Sequence, residues 1–157
     1  MKKFDPNKDI TMRDAVKDDL PRILSMARAL AVYHDDVPEV TAETIERDVF
    51  GEIPWVYIVV LEIHNVVAGY SALCPLTNFQ MGVRGIDMHH LFIEEEFRGM
   101  GIGRKLISAS IQKARELSCG YMKVGTHPRN IEAQAVYLGC GFIQMHGSNP
   151  RFHISLA

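Results

Sequence analysis

Residues 97–107 read FRGMGIGRKLI, with Gly99, Gly101 and Gly103 at alternate positions and an apolar, basic run directly behind them. Ile102, Leu106, Ile107, Ile111, Ala114 and Leu117 fall close to one helical stripe, so the glycines end at a helix start. Upstream, GIDMHHLFI (85–93) is apolar enough for a strand that leads through EEEF to the glycines. A glycine-rich turn from a strand into a helix exposes unpaired N–H groups beside the positive end of the helix dipole. That is a ready site for a phosphate or pyrophosphate, and the same glycines also read as a plain tight turn. Strand, glycine turn and helix in mid-chain predict a mixed α/β protein.

The flanking sequence extends this pattern on both sides. ITMRDA (10–15) predicts a strand, and DDLPRILSMARALAVY a helix with Asp18 or Asp19 as cap and Pro21 in its first turn. TAETIERDVF (41–50) predicts a second helix behind a Thr cap. WVYIVVLEI (55–63) and VVAGYSAL (66–73) predict a hairpin turned at His64-Asn65 and ended by Cys74-Pro75. YMKVGT (121–126) predicts a strand, NIEAQAVYLGCGF (130–142) a short helix stopped by glycines, and IQMH and RFHISL strands that close the sheet. No repeat, linker or low-complexity tract interrupts the 157 residues, which predicts one domain over 1–157.

Composition narrows the classes of function. With 47% hydrophobic and 23% charged residues the chain has an ordinary globular mix. Seventeen Lys and Arg against nineteen Asp and Glu give a net charge of -2, with no basic stripe for nucleic acid. MKKFDPNKDI lacks the apolar core of a signal peptide. No apolar run approaches the roughly 18 residues of a membrane span. Cys74, Cys119 and Cys140 are odd in number and show no CxxC spacing, which predicts reduced thiols in a cytoplasmic protein without a metal site.

Two phosphate-binding motifs fail on spacing. A P-loop needs GxxxxGK followed by Ser or Thr, which residues 99–105 do not supply. A dinucleotide fingerprint needs GxGxxG after the first strand and an acid about twenty residues on, and neither is present.

Arg98-Gly99-Met100-Gly101-Ile102-Gly103 matches a Gln/Arg-x-x-Gly-x-Gly/Ala loop, and residues 130–142 match Asn-x-x-Ala-x-x-x-Tyr-x-x-x-Gly-Phe with every spacing kept. On these two motifs the chain resembles the GNAT superfamily of N-acetyltransferases over nearly its whole length. DVFGEIPW (48–55) ahead of a long strand makes it most similar to the diamine and polyamine (spermidine/spermine-type) branch. That branch carries a Glu-Asp pair where this sequence has His89-His90. The resemblance implies an acyl-CoA N-acyltransferase fold, a mostly antiparallel mixed central sheet flanked by about four helices. It implies acetyl-CoA as co-substrate, a small-molecule amine acceptor and a homodimer.

It also implies roles for residues. The loop Arg98, Gly99, Met100, Gly101, Ile102, Gly103 and Arg104 would hold the CoA pyrophosphate, with Lys105 and Arg104 equally readable as helix surface. Backbone groups of Leu91, Phe92 and Ile93 would pair with pantetheine amides in a splay between 85–93 and 121–126, and one N–H would polarise the thioester carbonyl. Tyr137 would protonate the leaving thiolate, and Asn130 would meet the pantetheine or simply cap its helix. Full proton transfer from a phenol near 10 to a thiolate near 8.5 is uphill by roughly 2 kcal/mol, so a hydrogen bond to the thiolate is the lesser demand. His34, Asp35 and Asp36 lie in the loop that borders the acceptor cleft of the family, where acids attract a cationic amine. Trp55 would line that cleft or fill the core.

The chemistry needs a base. An alkyl amine with pKa near 10.4 is about one part in 2,500 neutral at pH 7, a deficit of about 4.6 kcal/mol. Histidine suits the task. On a regular strand His89 shares a face with Asp87 and Leu91, and His90 with Met88 and Phe92, so only one of the pair faces the cleft. His89 is the expected base, with His90 at the substrate or structural. The cysteines lie in no acyl-enzyme motif, so direct attack on the thioester is expected. Two other readings stay open: a non-catalytic acyl-CoA-binding module, and an acetyltransferase acting on protein amines.

Overall fold

The structure is a computed structural model that describes residues 4–147 and 150–156; the two N-terminal lysines of the signal-peptide reading lie outside them. The chain forms two compact units, one through Gly125 and one from Thr126 onward.

The first unit runs β1 (Ile10–Asp14), α1 (Leu20–Tyr33), α2 (Ala42–Phe50), β2 (Tyr57–Ile63), β3 (Val66–Asn78), β4 (Val83–Ile93), α3 (Ile102–Glu116) and β5 (Cys119–Lys123). Its five strands lie side by side in chain order. The first three pairings are antiparallel, and β5 runs parallel to β4. A parallel neighbour needs a crossover, and α3 supplies it. This is the α/β acyltransferase architecture that the resemblance implies.

Helices cover both faces of the central strands, which is why β2 and β3 read as continuous apolar runs. On one face Ile23, Met26, Ala27 and Leu30 of α1 and Ile45 of α2 pack on Ile58, Val60, Tyr70, Ala72 and Phe92. On the other, α3 buries Ile102, Leu106, Ile107, Ser110 and Ala114. Ser110 takes the buried place that periodicity gave to Ile111. Its hydroxyl lies 2.7 Å from Ser71 Oγ and donates to the Leu106 carbonyl, so the polar pair inside the core is satisfied.

Local chemistry sets the ends. Thr41 caps α2 by accepting from the Thr44 N–H at 3.2 Å. Asp19 stands at the N-cap of α1 without a capping bond, because its carboxylate is held by Arg13 at 2.7 Å and by the Val16 N–H.

Two expectations are corrected. Cys74-Pro75 does not end the hairpin, since β3 continues to Asn78. Pro75 pairs with Ile86, and beyond Leu73 the strand has no β2 neighbour, so the missing N–H breaks no ladder on that side. The second unit contains α4 (Ile131–Gly139), but IQMH and RFHISL form no strand among the described residues. The alternation in both segments is that of a half-buried strand, yet Ile143 (89% exposed), Phe152 (96%) and Leu156 (95%) bury against nothing.

Candidate functional site

Strand β4 organises the site in the first unit. Ala72 pairs with His90 but the next residue, Leu73, pairs with Met88, so His89 is the extra residue of a β-bulge. Below the bulge Asp87 shares a face with its partner Cys74; above it His90 and Phe92 share that face with Ala72 and Tyr70. The regular alternation therefore breaks, and the expectation that the two histidines project from opposite faces is overturned. Their rings stack at 4.8 Å, inclined by 15°, and both line one cavity.

That cavity, about 150 Å³, lies between α1, α2 and the sheet. Ile23 and Ala27 of α1, Ile45, Asp48 and Val49 of α2, Val40, Val56, Ile58, Ala72 and Cys74 form its walls with Thr44, Tyr70 and the histidines. The two imidazoles have different surroundings. His89 is exposed, with Nδ1 3.6 Å from Asp87 Oδ2. His90 is largely buried, with Nδ1 2.8 Å from the Tyr70 hydroxyl. Burial, then the neighbouring His89 and His34, push the His90 pKa down to about 4, so this ring is neutral at pH 7. Burial pushes the Tyr70 phenol up, so it stays protonated. Cys74 is also raised, by burial and by Asp87, which keeps it a thiol.

Past the bulge β4 loses a neighbour. Its pairing with β5 stops at Asp87 and Lys123, leaving residues 88–93 with β3 on one side only. The strand then feeds the glycine loop. Gly99 (φ 77°) and Gly101 (φ 73°) are left-handed, the region where a Cβ is strained. Gly103 is not: a Cβ there meets only Ile93 Cδ1 at 3.7 Å, an ordinary contact. The first two glycines are thus explained by the turn, and the third is not required by it, since a Cβ would fit at ordinary contact distance. No side chain caps this helix, whose N-cap is Gly101.

The other residues divide. Arg98 donates Nε to the Ile93 carbonyl at 2.8 Å, and its guanidinium lies 5.6 Å from the Phe92 ring centre and 5.9 Å from that of Tyr33. It ties the loop to β4. Ile102 is buried, so only its backbone could meet a ligand, while Met100 is exposed. Lys105 donates to Asn7 Oδ1 at 2.8 Å. His34, Asp35, Asp36 and Trp55 lie outside the cavity wall, and Trp55 is exposed rather than core. In the second unit Asn130 caps α4, accepting from the Ala133 N–H at 3.1 Å. Tyr137 is half-buried against Phe142, with ring centres 5.8 Å apart, and burial followed by Cys140 raises its pKa.

Sequence reasoning missed Tyr70, Thr44, Asp48 and Cys74. The strand pattern marks Tyr70 and Ala72 as sharing a face, but only the register across the bulge brings His90 to them.

The chain belongs to the acetyltransferase (GNAT) family, whose model matches residues 22–142, and is an enzyme that moves an acetyl group to an amine. It is 28% identical to the thialysine N-epsilon-acetyltransferase of Bos taurus over 84% of this chain and 83% of that one. It is 27% identical to the L-methionine sulfoximine/L-methionine sulfone acetyltransferase of Pseudomonas paraeruginosa, over 90% and 84%. Among solved structures, a probable acetyltransferase superposes with TM-score 0.81 at 21% identity, over 92% of this chain and 98% of that one. An aminoglycoside N-acetyltransferase in complex with CoA superposes with TM-score 0.74 at 17% identity, over 94% and 95%. No helix among the described residues is long and apolar enough to cross a membrane.

Proposed function

We propose that the chain transfers the acetyl group of acetyl-CoA to a small primary amine, a diamine, polyamine or amino-acid-like acceptor, by direct attack. The observation that carries this reading is the layout of β4: a bulged histidine pair at a cavity, then an edge without a β5 partner, then the glycine loop.

The amine nitrogen attacks the thioester carbon as its proton passes to His89, directly or through water; the C–N bond forms and the C–S bond breaks. His89 is the better base of the pair, because His90 binds a proton only near pH 4. His90, held by Tyr70, orients the acceptor. Tyr137 stays a phenol and gives a hydrogen bond or proton to the thiolate. The backbone of Leu91, Phe92 and Ile93 receives the pantetheine arm with Asn130, and the N–H groups from Gly99 to Arg104 receive the pyrophosphate. An uncapped helix start with no side chain at Gly103 fits that anion. His34, Asp35, Asp36 and Trp55 belong to the outer approach of the acceptor. The raised Cys74 thiol supports direct transfer over an acetyl-cysteine.

The family match spans both units, which supports one catalytic domain over 1–157. The odd number of cysteines (Cys74, Cys119 and Cys140) and the absence of CxxC spacing in the sequence support a cytoplasmic setting. The family resemblance supports a homodimer, and the chemistry requires no metal, nucleic acid or membrane.

The test is calorimetry with CoA on Gly103→Val. The backbone there suits any residue and the fold has room, so a folded variant should lose affinity because the new side chain stands over the helix start. Unchanged affinity would overturn the pyrophosphate assignment.

A further inference from the structure

We infer that the acceptor is a primary amine bearing one compact apolar group of about the size of benzene, and that α1 and α2 exclude polyamines. The inference rests on the acetyl-transfer reading and, of the acceptors proposed for it, sets aside the diamines and polyamines.

The cavity next to the histidine pair is walled mainly by aliphatic side chains, among them Ile23, Ala27, Val40, Val49 and Ile58. Its volume, about 150 Å³, matches that of an apolar cavity known to accept benzene. Apart from Cys74, the polar side chains in the wall already have partners. Asp48, the only carboxylate among the described lining residues, is gripped at both oxygens by Arg47, at 2.7 and 2.8 Å. The Thr44 hydroxyl donates to the Thr41 carbonyl and accepts from the Thr41 N–H. Tyr70 and His90 hold each other. Cys74 contributes a protonated thiol, a weak hydrogen-bond group. A second ammonium of a diamine would enter this wall without a free carboxylate, whereas an alkyl or aryl group loses nothing there. The acids at Asp35 and Asp36 lie outside the wall. His89 remains at the exposed end for the reacting nitrogen.

The experiment measures kcat/KM with acetyl-CoA for methylamine, isopentylamine, benzylamine, 1,4-diaminobutane and spermidine, compared at equal free-base concentration. Burial of a full apolar side chain predicts benzylamine or isopentylamine about 10- to 100-fold above methylamine, with both polycations below them. Ala27→Phe fills the cavity, and Val40→Phe does so from the connection between α1 and α2. Either should drive the benzylamine-to-methylamine ratio toward one, which partial unfolding, lowering both rates alike, would not do. Polycations turned over as well as benzylamine, or an unchanged ratio in a folded variant, would overturn the inference and leave acetyl transfer standing. Failure of every amine to release CoA thiol would overturn the acetyl-transfer reading, and the inference with it.

Discussion

Burial of His90 makes the folded chain sensitive to acid, by an amount that can be worked out. The ring binds its proton near pH 4 when folded, because the cavity wall removes water and His89 and His34 stand nearby. Unfolded, it binds near the ordinary 6.5. A histidine depressed in this way contributes stability that is complete above about pH 6.5 and is lost as the pH falls toward 4. The loss across that window is on the order of 3 kcal/mol, an upper bound because the cavity opens to solvent. Replacing the ring by an amide that does not titrate removes the effect. Urea unfolding of the parent and of His90→Gln at pH 7.5 and pH 4.5 isolates it, since all other titrations are shared. The parent should lose about 2–3 kcal/mol more than the variant between the two conditions. The amide starts lower at pH 7.5, because the Tyr70 hydroxyl loses its partner, and the gap narrows in acid. Parallel losses in the two proteins would refute the burial argument.

Gly101→Ala should cost roughly 1–2 kcal/mol in thermal or urea unfolding, since its left-handed backbone disfavours a Cβ, and Gly103→Ala should cost nothing measurable. Equal costs would mean that the turn, not the ligand, requires both glycines. Tyr137→Phe should lower kcat with little change in acetyl-CoA affinity, because its hydrogen bond matters chiefly as charge develops on sulfur. Full turnover in a regime limited by chemistry would reassign the ring to packing against Phe142.

Patterns of local origin were legible in the sequence. The Thr41 cap, the α1 helix with Pro21 in its first turn and the glycine turn into α3 each follow from neighbours within a few residues, and each formed where the local sequence put it. Features set by long-range register were not. Pro75 reads as a strand end until the position of β2 shows that nothing beside it needs an N–H. HH at 89–90 reads as one residue in and one out, and only the pairing of Ala72 and Leu73 reveals the bulge that brings both to one cavity. The stripe took in Ile111 and not Ser110, whose partner, Ser71, lies on a distant strand. Alternation alone also overstated 143–146 and 151–156, where a strand needs a neighbour to pair with.

The central claim is that the bulged pair serves amine chemistry with His89 as the base. The pH dependence of kcat/KM, measured with a saturating acetyl donor under conditions limited by chemistry, tests it most directly in the parent, His89→Gln and His90→Gln. If the account is right, His89→Gln abolishes the lower limb of the profile and slows turnover by roughly 10²–10⁴-fold, while His90→Gln keeps the limb and mainly raises the KM of the acceptor. A profile that His89→Gln leaves in place, with the rate intact, would contradict it.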